Sequence, residues 1–561
     1  MIYKSNSKIK KILEKIKFFT LKNKLEIFLF FFFLLIFIIY SWDTITDSQC
    51  PFHYDSHAIW IFSKNLIQNK SLIYSDPLSE LFEFKVFYHF GGYLSNNKFY
   101  TIRNYGEIFL TSFSLLLGYK VPFYLISLLG TIGVIFYYLF AKNIFNKKIA
   151  LVSTVFFSLS YPMINWSNQL ISNVPAFSLF ITGLYFASNV LTHRNDKLYN
   201  YIFSASFFAL SVWMRYEYLI FILFLIPWIY KTRKSINLKY FVIAILIFIL
   251  LLTPIFFLNY HLHKSPFTFG VIMESIKIPK KSADKIFKNE MLNIMINTFL
   301  WIYKHFLSIS IRLDFITLIN NLKYYLYDIL PGLILLSILG YLAIFKEKEK
   351  NKLNFAIFSL ISSIFWIFKI IPRGLLKPED IKIEGPIPRY FLLVYCFIVL
   401  ISASFIFYLS KKFTRIKIIH YLIIALLITV TILNTSSLLI GSSYSFFVYN
   451  AKKQINKINM TIKDFPDNSI IVGDRRFFLH GITERKTLDL SKIEIMEKKE
   501  NCVVATNYIK TILNLNYPVY IIEKNYLNLT NYIQKNENDL AVEKIISEDY
   551  FEIYKVFYRE K

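Results

Sequence analysis

The 561-residue sequence holds no Walker phosphate loop, no H-E-x-x-H zinc signature, no nucleophile elbow and no glycine-rich dinucleotide turn. Any chemistry must therefore come from dispersed polar groups, with no nucleotide site implied. Charge is scarce, at 18% of residues, and cysteine scarcer still. Cys50, Cys396 and Cys502 lie far apart and show no metal-ligand spacing. Cys50 and Cys502 are expected on the same side of a membrane. A bridge and two free thiols are both compatible with that, and the spacing favours two thiols. No internal repeat of fixed period is present, and no low-complexity tract beyond the apolar runs.

What the sequence does have is hydrophobicity: 55% of residues are apolar, with a mean hydropathy of +0.44. The apolar residues come in runs close to the length that crosses a bilayer. Composition excludes a disordered, collagenous or soluble nucleic-acid-binding protein and points to a polytopic membrane protein. Lys+Arg 64 against Asp+Glu 37 leaves a net charge of +27, which in a soluble chain would suggest nucleic acid. Here the cations fall largely in short segments between apolar runs, so the excess reads as topology, with attraction to anionic lipid secondary.

The segment 1–24 is Lys-rich and is expected in the cytoplasm ahead of the apolar run Ile27 to Tyr40. No small-x-small cleavage site follows that run, so an uncleaved first helix is read rather than a signal peptide. Further runs at about 120–142, 149–165, 174–191, 199–214, 216–230, 240–258, 324–345, 353–371, 389–409 and 418–438 bring the expected spans to about eleven. Every second connection is basic, among them Lys142/Lys147/Lys148 and Lys411/Lys412/Arg415/Lys417. The pattern puts the connections 41–119, 259–323 and 372–388, and the tail, on the extracytoplasmic side. Stretches 56–72 and 105–117 have the spacing of interfacial helices. The tail reads as a small external α/β domain, with β-type runs at 469–473, 502–505, 518–522 and 551–557. The expected fold class is thus mainly α, in three parts: a basic N-terminus (1–24), a transmembrane domain (25–440) with a long first outer loop (41–119), and an external α/β domain (441–561).

Candidate site residues lie on the expected outer side. Asp55, in His53-Tyr-Asp-Ser-His57, is a carboxylate at a membrane edge among aromatic neighbours, an environment that tunes a general base for a hydroxyl acceptor. An N-cap of the following helix is the plainer reading of the same residue. Asp43 and Asp47 are weaker candidates nearby. Arg215 and Glu217, in Met214-Arg-Tyr-Glu217, sit between two apolar runs, where charge is costly unless paired or facing a polar cavity. An ion pair pinning a helical hairpin is the structural alternative. Arg389-Tyr390 opens a late span; its guanidinium is suited to bidentate phosphate binding, or to snorkelling beside aromatic residues. Lys98 and Arg103 add cations to the first loop or serve as surface charges. His53, His57 and His89 match no strong ligand spacing, so no cofactor is expected and a divalent metal finds no support.

These pieces resemble the GT-C superfamily of polytopic glycosyltransferases, of the mannosyltransferase-like and aminoarabinose-transferase-like branch. The matching blocks are Tyr54-Asp55-Ser-His-Ala58 running on to Tyr74, then Phe99-Tyr-Thr-Ile-Arg-Asn-Tyr-Gly106-Glu-Ile-Phe-Leu110, Arg215-Tyr-Glu217 and Arg389-Tyr390, in that order. One departure stands out: residues 168–175 read Asn-Gln-Leu-Ile-Ser-Asn-Val-Pro, without the acid many relatives carry there. The resemblance implies an integral membrane enzyme that takes a sugar from a polyprenyl-phosphate donor. The donor phosphate would be held by cations from Arg103, Arg215, Arg389 and Lys98. Asp55 would act as the base, with Glu217, His53, His57 and Tyr390 in support. The acceptor would be a glycan, a glycolipid or a protein, and transfer would invert the anomeric centre. A transporter or flippase of lipid-linked saccharides is the rival class, but paired half-repeats and short outer loops are not evident in the sequence.

Overall fold

The computed structural model describes residues 24–46, 54–74, 92–95, 98–101, 103–192, 194–233, 236–263, 319, 322–370, 387–412, 417–441, 458, 461–462, 464–466, 468–473, 486–489, 499–523, 529–548 and 551–559. The expected cytoplasmic segment ahead of residue 24, Cys50, His53, His89 and most of the connections 259–323 and 372–388 lie outside them.

The order begins α1 (Lys24–Tyr40), α2 (Trp42–Ile45), α3 (Tyr54–Asn69), β1 (Ile73–Tyr74), β2 (Gly92–Ser95), β3 (Lys98–Thr101) and α4 (Tyr105–Leu115). A helical series follows: α5 (Val121–Ile144), α6 (Lys147–Ser158), α7 (Tyr161–Trp166), α8 (Asn173–Leu191), α9 (Leu198–Met214), α10 (Tyr218–Leu223), α11 (Ile226–Thr232) and α12 (Leu238–His263). It continues with α13 (Leu333–Glu347), α14 (Lys350–Ile370), α15 (Leu392–Lys412) and α16 (Lys417–Gly441). Among the described residues five helices are long and apolar enough to cross a membrane: α5, α8, α12, α15 with the turn before it, and α16.

Apolarity sorts these helices by depth. α15 is apolar around its whole circumference, and 83% of its spanning window is buried within the protein. Val394, Tyr395, Phe397, Val399 and Leu400 are fully enclosed. In α12 and α16 only 11% of the window is buried, so their Leu and Ile side chains face outward, as lipid-facing helices require. α13, α6 and α14 pack around α15, and Tyr137 of α5 donates to the Cys396 carbonyl at 3.1 Å.

Two rings of polar contacts mark the ends of the bundle. At one end Asn143 donates to Ser188 Oγ (3.0 Å) and Asn189 Oδ1 (2.7 Å), while Arg194 donates to Asn143 Oδ1 at 3.2 Å. At the other, Ser127 Oγ lies 2.9 Å from the Tyr40 carbonyl and 3.1 Å from that of Ser167. The C-terminal ends of α1 and α9 and the N-terminal ends of α5, α8 and α15 meet there.

Three expected spans are interrupted. The run 149–165 forms α6 and α7, separated at Leu159-Ser160 before Pro162, so α6 has only 12 residues. The run 216–230 divides into α10 and α11 ahead of Pro227. The run 324–345 starts as a π-helical turn, Lys323–Tyr327, and restarts as α13 after Pro331-Gly332, where Gly332 adopts φ +77°. In each case a proline withholds the amide hydrogen that would continue the helix, a signal that hydropathy averages away. The first loop contains the expected helices α3 and α4 and, beyond expectation, an antiparallel three-stranded sheet in the order β1-β3-β2.

In the tail, β4 (Ile470–Gly473), β5 (Lys486–Asp489), α17 (Lys499–Asn514), β6 (Val519–Glu523), α18 (Leu529–Asn536), β7 (Leu540–Glu548) and β8 (Phe551–Tyr558) build a mixed five-stranded sheet with two helices. The strand order is β5-β4-β6-β8-β7, parallel across β5, β4 and β6 and antiparallel beyond. Residues 502–505, read as a strand, lie inside α17. Ala505, Ile509 and Ile512 are buried at helical spacing, and that longer 3.6-residue period overrides the local β preference of Val503-Val504.

Candidate active site

The Arg215 to Glu217 turn exists because α9 stops at Met214. Arg215 leaves the helix in extended conformation (φ −155°, ψ 110°), and α10 begins at Tyr218. Arg215 is buried, at 8% exposure. Its Nη2 donates to Glu217 Oε1 at 2.8 Å and its Nη1 to Asn173 Oδ1 at 2.9 Å. Burial works against the guanidinium charge, but Glu217 and Tyr390 outweigh it and the pKa rises above the ordinary arginine value.

Arg389 enters from a distant part of the chain. It lies in a 3-10 turn, Ile387–Phe391, that leads into α15. Trp366 of α14 donates its indole NH to the Tyr390 carbonyl, and Asn173 Nδ2 donates to the Arg389 carbonyl at 3.2 Å. Arg389 is 3% exposed. Both guanidiniums lie over the Tyr390 ring, Arg215 at 4.8 Å and Arg389 at 5.1 Å from its centroid; Arg389 also stands 5.4 Å from the Trp166 ring.

The segment 166–173 joins this cluster to the first loop. Two residues after Trp166, Asn168 Nδ2 donates to Asp43 Oδ2 at 2.9 Å. Asp43 is in α2, immediately after the first span. The cluster therefore draws together Trp166, Asn173, Arg215, Glu217, Trp366, Arg389 and Tyr390, and the chain from Trp166 to Asn168 leads from it to Asp43.

Of the residues singled out in the sequence, Arg215, Glu217, Arg389 and Tyr390 converge. Arg103 precedes α4, whose Gly106 packs so closely on Trp213 that an added Cβ would lie 2.7 Å from the Trp213 carbonyl carbon. Tyr105 OH donates to Asn259 Oδ1 of α12 at 2.8 Å. These contacts bring the start of α4 to the end of α9 that carries Arg215. Asp55 is the second residue of α3 and Lys98 opens β3; their side chains, with that of His57, lie outside the described residues, as does His53. Asn168, Asn173, Trp166 and Trp366 were not recognised from sequence. An uncharged polar run at 168–173 between two apolar stretches was the available signal for the two amides. Among the described residues no group of three His, Cys, Asp or Glu side chains is placed to hold a metal.

Comparison with known proteins follows the same lines. Residues 109–257, which carry Asn168, Asn173, Arg215 and Glu217, match the family model described as dolichyl-phosphate-mannose-protein mannosyltransferase. The crystal structure of ArnT from Cupriavidus metallidurans bound to undecaprenyl phosphate superposes with a TM-score of 0.54, covering 95% of this chain and 98% of that one at 9% identity. The fold is GT-C. ArnT in the apo state gives a TM-score of 0.52 at 9% identity, covering 93% of this chain and 97% of its own. The archaeal oligosaccharyltransferase AglB from Archaeoglobus fulgidus, in complex with an inhibitory peptide and a dolichol-phosphate, is more distant: TM-score 0.49, 11% identity, 89% of this chain and 70% of that one. No curated protein matches in sequence. The GT-C likeness thus lives in helix order and packing rather than in residue identity.

Proposed function

We propose that this chain is an integral membrane glycosyltransferase that moves a sugar from a polyprenyl-phosphate donor to an acceptor hydroxyl on the extracytoplasmic face. The observation that carries the proposal is the pair of buried guanidiniums, Arg215 and Arg389, over the single ring of Tyr390 at one end of a GT-C bundle. Guanidinium groups hold a phosphate bidentately, and their charge is least screened where water is scarce. Arg103 and Lys98 are the further cations available from the first loop.

The chemistry needs one base. It takes the proton of the acceptor hydroxyl as the oxygen attacks the anomeric carbon; the bond from that carbon to the phosphate oxygen breaks, and polyprenyl phosphate departs with the electron pair. Direct displacement inverts the anomeric centre. Arg215 and Arg389 take up the charge that grows on the leaving phosphate. Asp55 is the base expected from sequence. The Asn168 hydrogen bond favours Asp43, a carboxylate held two residues from the Trp166 ring beneath Arg389. The tail sheet is proposed to form an external domain, and the acceptor to be a glycan, glycolipid or protein.

The test is titration of the full-length protein in lipid nanodiscs with undecaprenyl phosphate, alongside an assay of sugar release from polyprenyl-phosphate sugars. Arg389→Ala is expected to weaken lipid-phosphate binding by about 10- to 100-fold, the range for a charge-assisted hydrogen bond. Unchanged binding in Arg389→Ala and Arg215→Ala alike would remove the phosphate role from this cluster.

A further inference from the structure

The segment 168–175 carries no acid, yet it supplies the residue at the centre of the cluster. Asn173, the first residue of α8, is 4% exposed and uses both ends of its amide. Its Oδ1 accepts from Arg215 Nη1 at 2.9 Å and its Nδ2 donates to the Arg389 carbonyl at 3.2 Å. The amide orientation follows from its partners, since a guanidinium only donates and a carbonyl only accepts. We infer that Asn173 is a positioning residue that sets the spacing of the two guanidiniums while adding no charge, so that the cluster keeps its attraction for a lipid phosphate. The inference rests on the phosphate reading proposed above.

The choice of amide over acid has a physical consequence. An aspartate at 173 would accept from Arg215 through a stronger, charge-assisted bond, so orientation of that side chain alone would favour the acid. It would lack the donor that the Arg389 carbonyl receives. It would also place a second carboxylate beside a guanidinium that already has Glu217 at 2.8 Å. Between two carboxylates, the Arg215 charge would be spent within the protein. At 8% exposure little solvent screening intervenes, so one extra negative charge here acts on the ligand almost undiminished. Glutamine offers the same donor and acceptor on a longer stem that shifts both, and alanine offers neither.

The experiment uses full-length protein in nanodiscs titrated with undecaprenyl phosphate. Asn173→Asp is expected to raise Kd at least about tenfold, in keeping with the effect of an added charge at a buried pair. Adding Glu217→Gln to that variant returns the carboxylate count around Arg215 to its original value and is expected to recover most of the affinity. Asn173→Ala should weaken binding through lost positioning, and adding Glu217→Gln should tighten it only by the factor that Glu217→Gln gives in the native background. Glu217→Gln alone poses the question independently of whether Asn173→Asp folds: it should bind the phosphate more tightly than the native protein. Native-like affinity in Asn173→Asp, or loss that Glu217→Gln does not recover, would overturn the charge-neutral role and leave the phosphate site standing. A native protein that does not bind undecaprenyl phosphate would overturn the site itself, and the inference with it.

Discussion

Asp43 and Asp55 present the same functional group from one loop, and the structure describes the partner of the first. Asp43 Oδ2 receives a hydrogen bond from Asn168, on the segment that also brings Trp166 under Arg389. Asp55 is the second residue of α3, a position where a carboxylate gains from the helix dipole without any catalytic duty. Asp43→Asn is therefore expected to lower turnover by about 10²- to 10⁴-fold, as removal of a general base does, with lipid-phosphate affinity retained. With Asp43 as the base, Asp55→Asn should keep more than about a tenth of the turnover. Sugar release measured in both variants decides; the reverse pattern would return the base to Asp55. Sequence made both carboxylates visible but ranked them by flanking residues. Their ranking here comes from Asn168, whose position is 125 residues from Asp43 along the chain.

Elements deliver these side chains by stopping in the right place. α9 ends at Met214, α8 starts at Asn173 and α15 starts after the Arg389 turn, so three ends converge with their polar residues inward. The helices were legible as apolar runs. The breaks at Pro162, Pro227 and Pro331 were not, because a proline in an apolar run barely changes its mean hydropathy while removing a backbone donor. Gly106 shows the same division. The sequence marked it as part of a motif; only the packing explains it, with Trp213 backbone 2.7 Å from where a Cβ would stand. Gly106→Val must push α4 from the end of α9, two residues before Arg215. It is expected to cost roughly 1–3 kcal/mol by overpacking and to weaken undecaprenyl phosphate binding. Thermal unfolding and phosphate titration of the full-length variant check both, and a variant with native values for each would refute the coupling of α4 to the site.

At the scale of the whole molecule, a GT-C fold persists against ArnT at 9% identity. Such persistence is expected where most positions face lipid or a close-packed helix, because many apolar side chains satisfy either environment. The same scale governs orientation. From the alternation of basic connections along the chain we propose that the cluster and the tail sheet lie outside the cytoplasm. A reporter fused after Leu438 should therefore read extracytoplasmic, and a cytoplasmic signal would move every proposed site residue to the wrong leaflet.

Composition and hydropathy on their own determined that the chain lives in a membrane, where its helices run and which cations merited attention, since those properties follow from local water-to-lipid transfer. Which carboxylate faces Asn168, and that one amide joins Arg215 to Arg389 across 216 residues of chain from Asn173 to its partner, was decided by tertiary packing. Hydrogen bonds act over about 3 Å, and no periodicity in a sequence records which distant ends of helices will come that close.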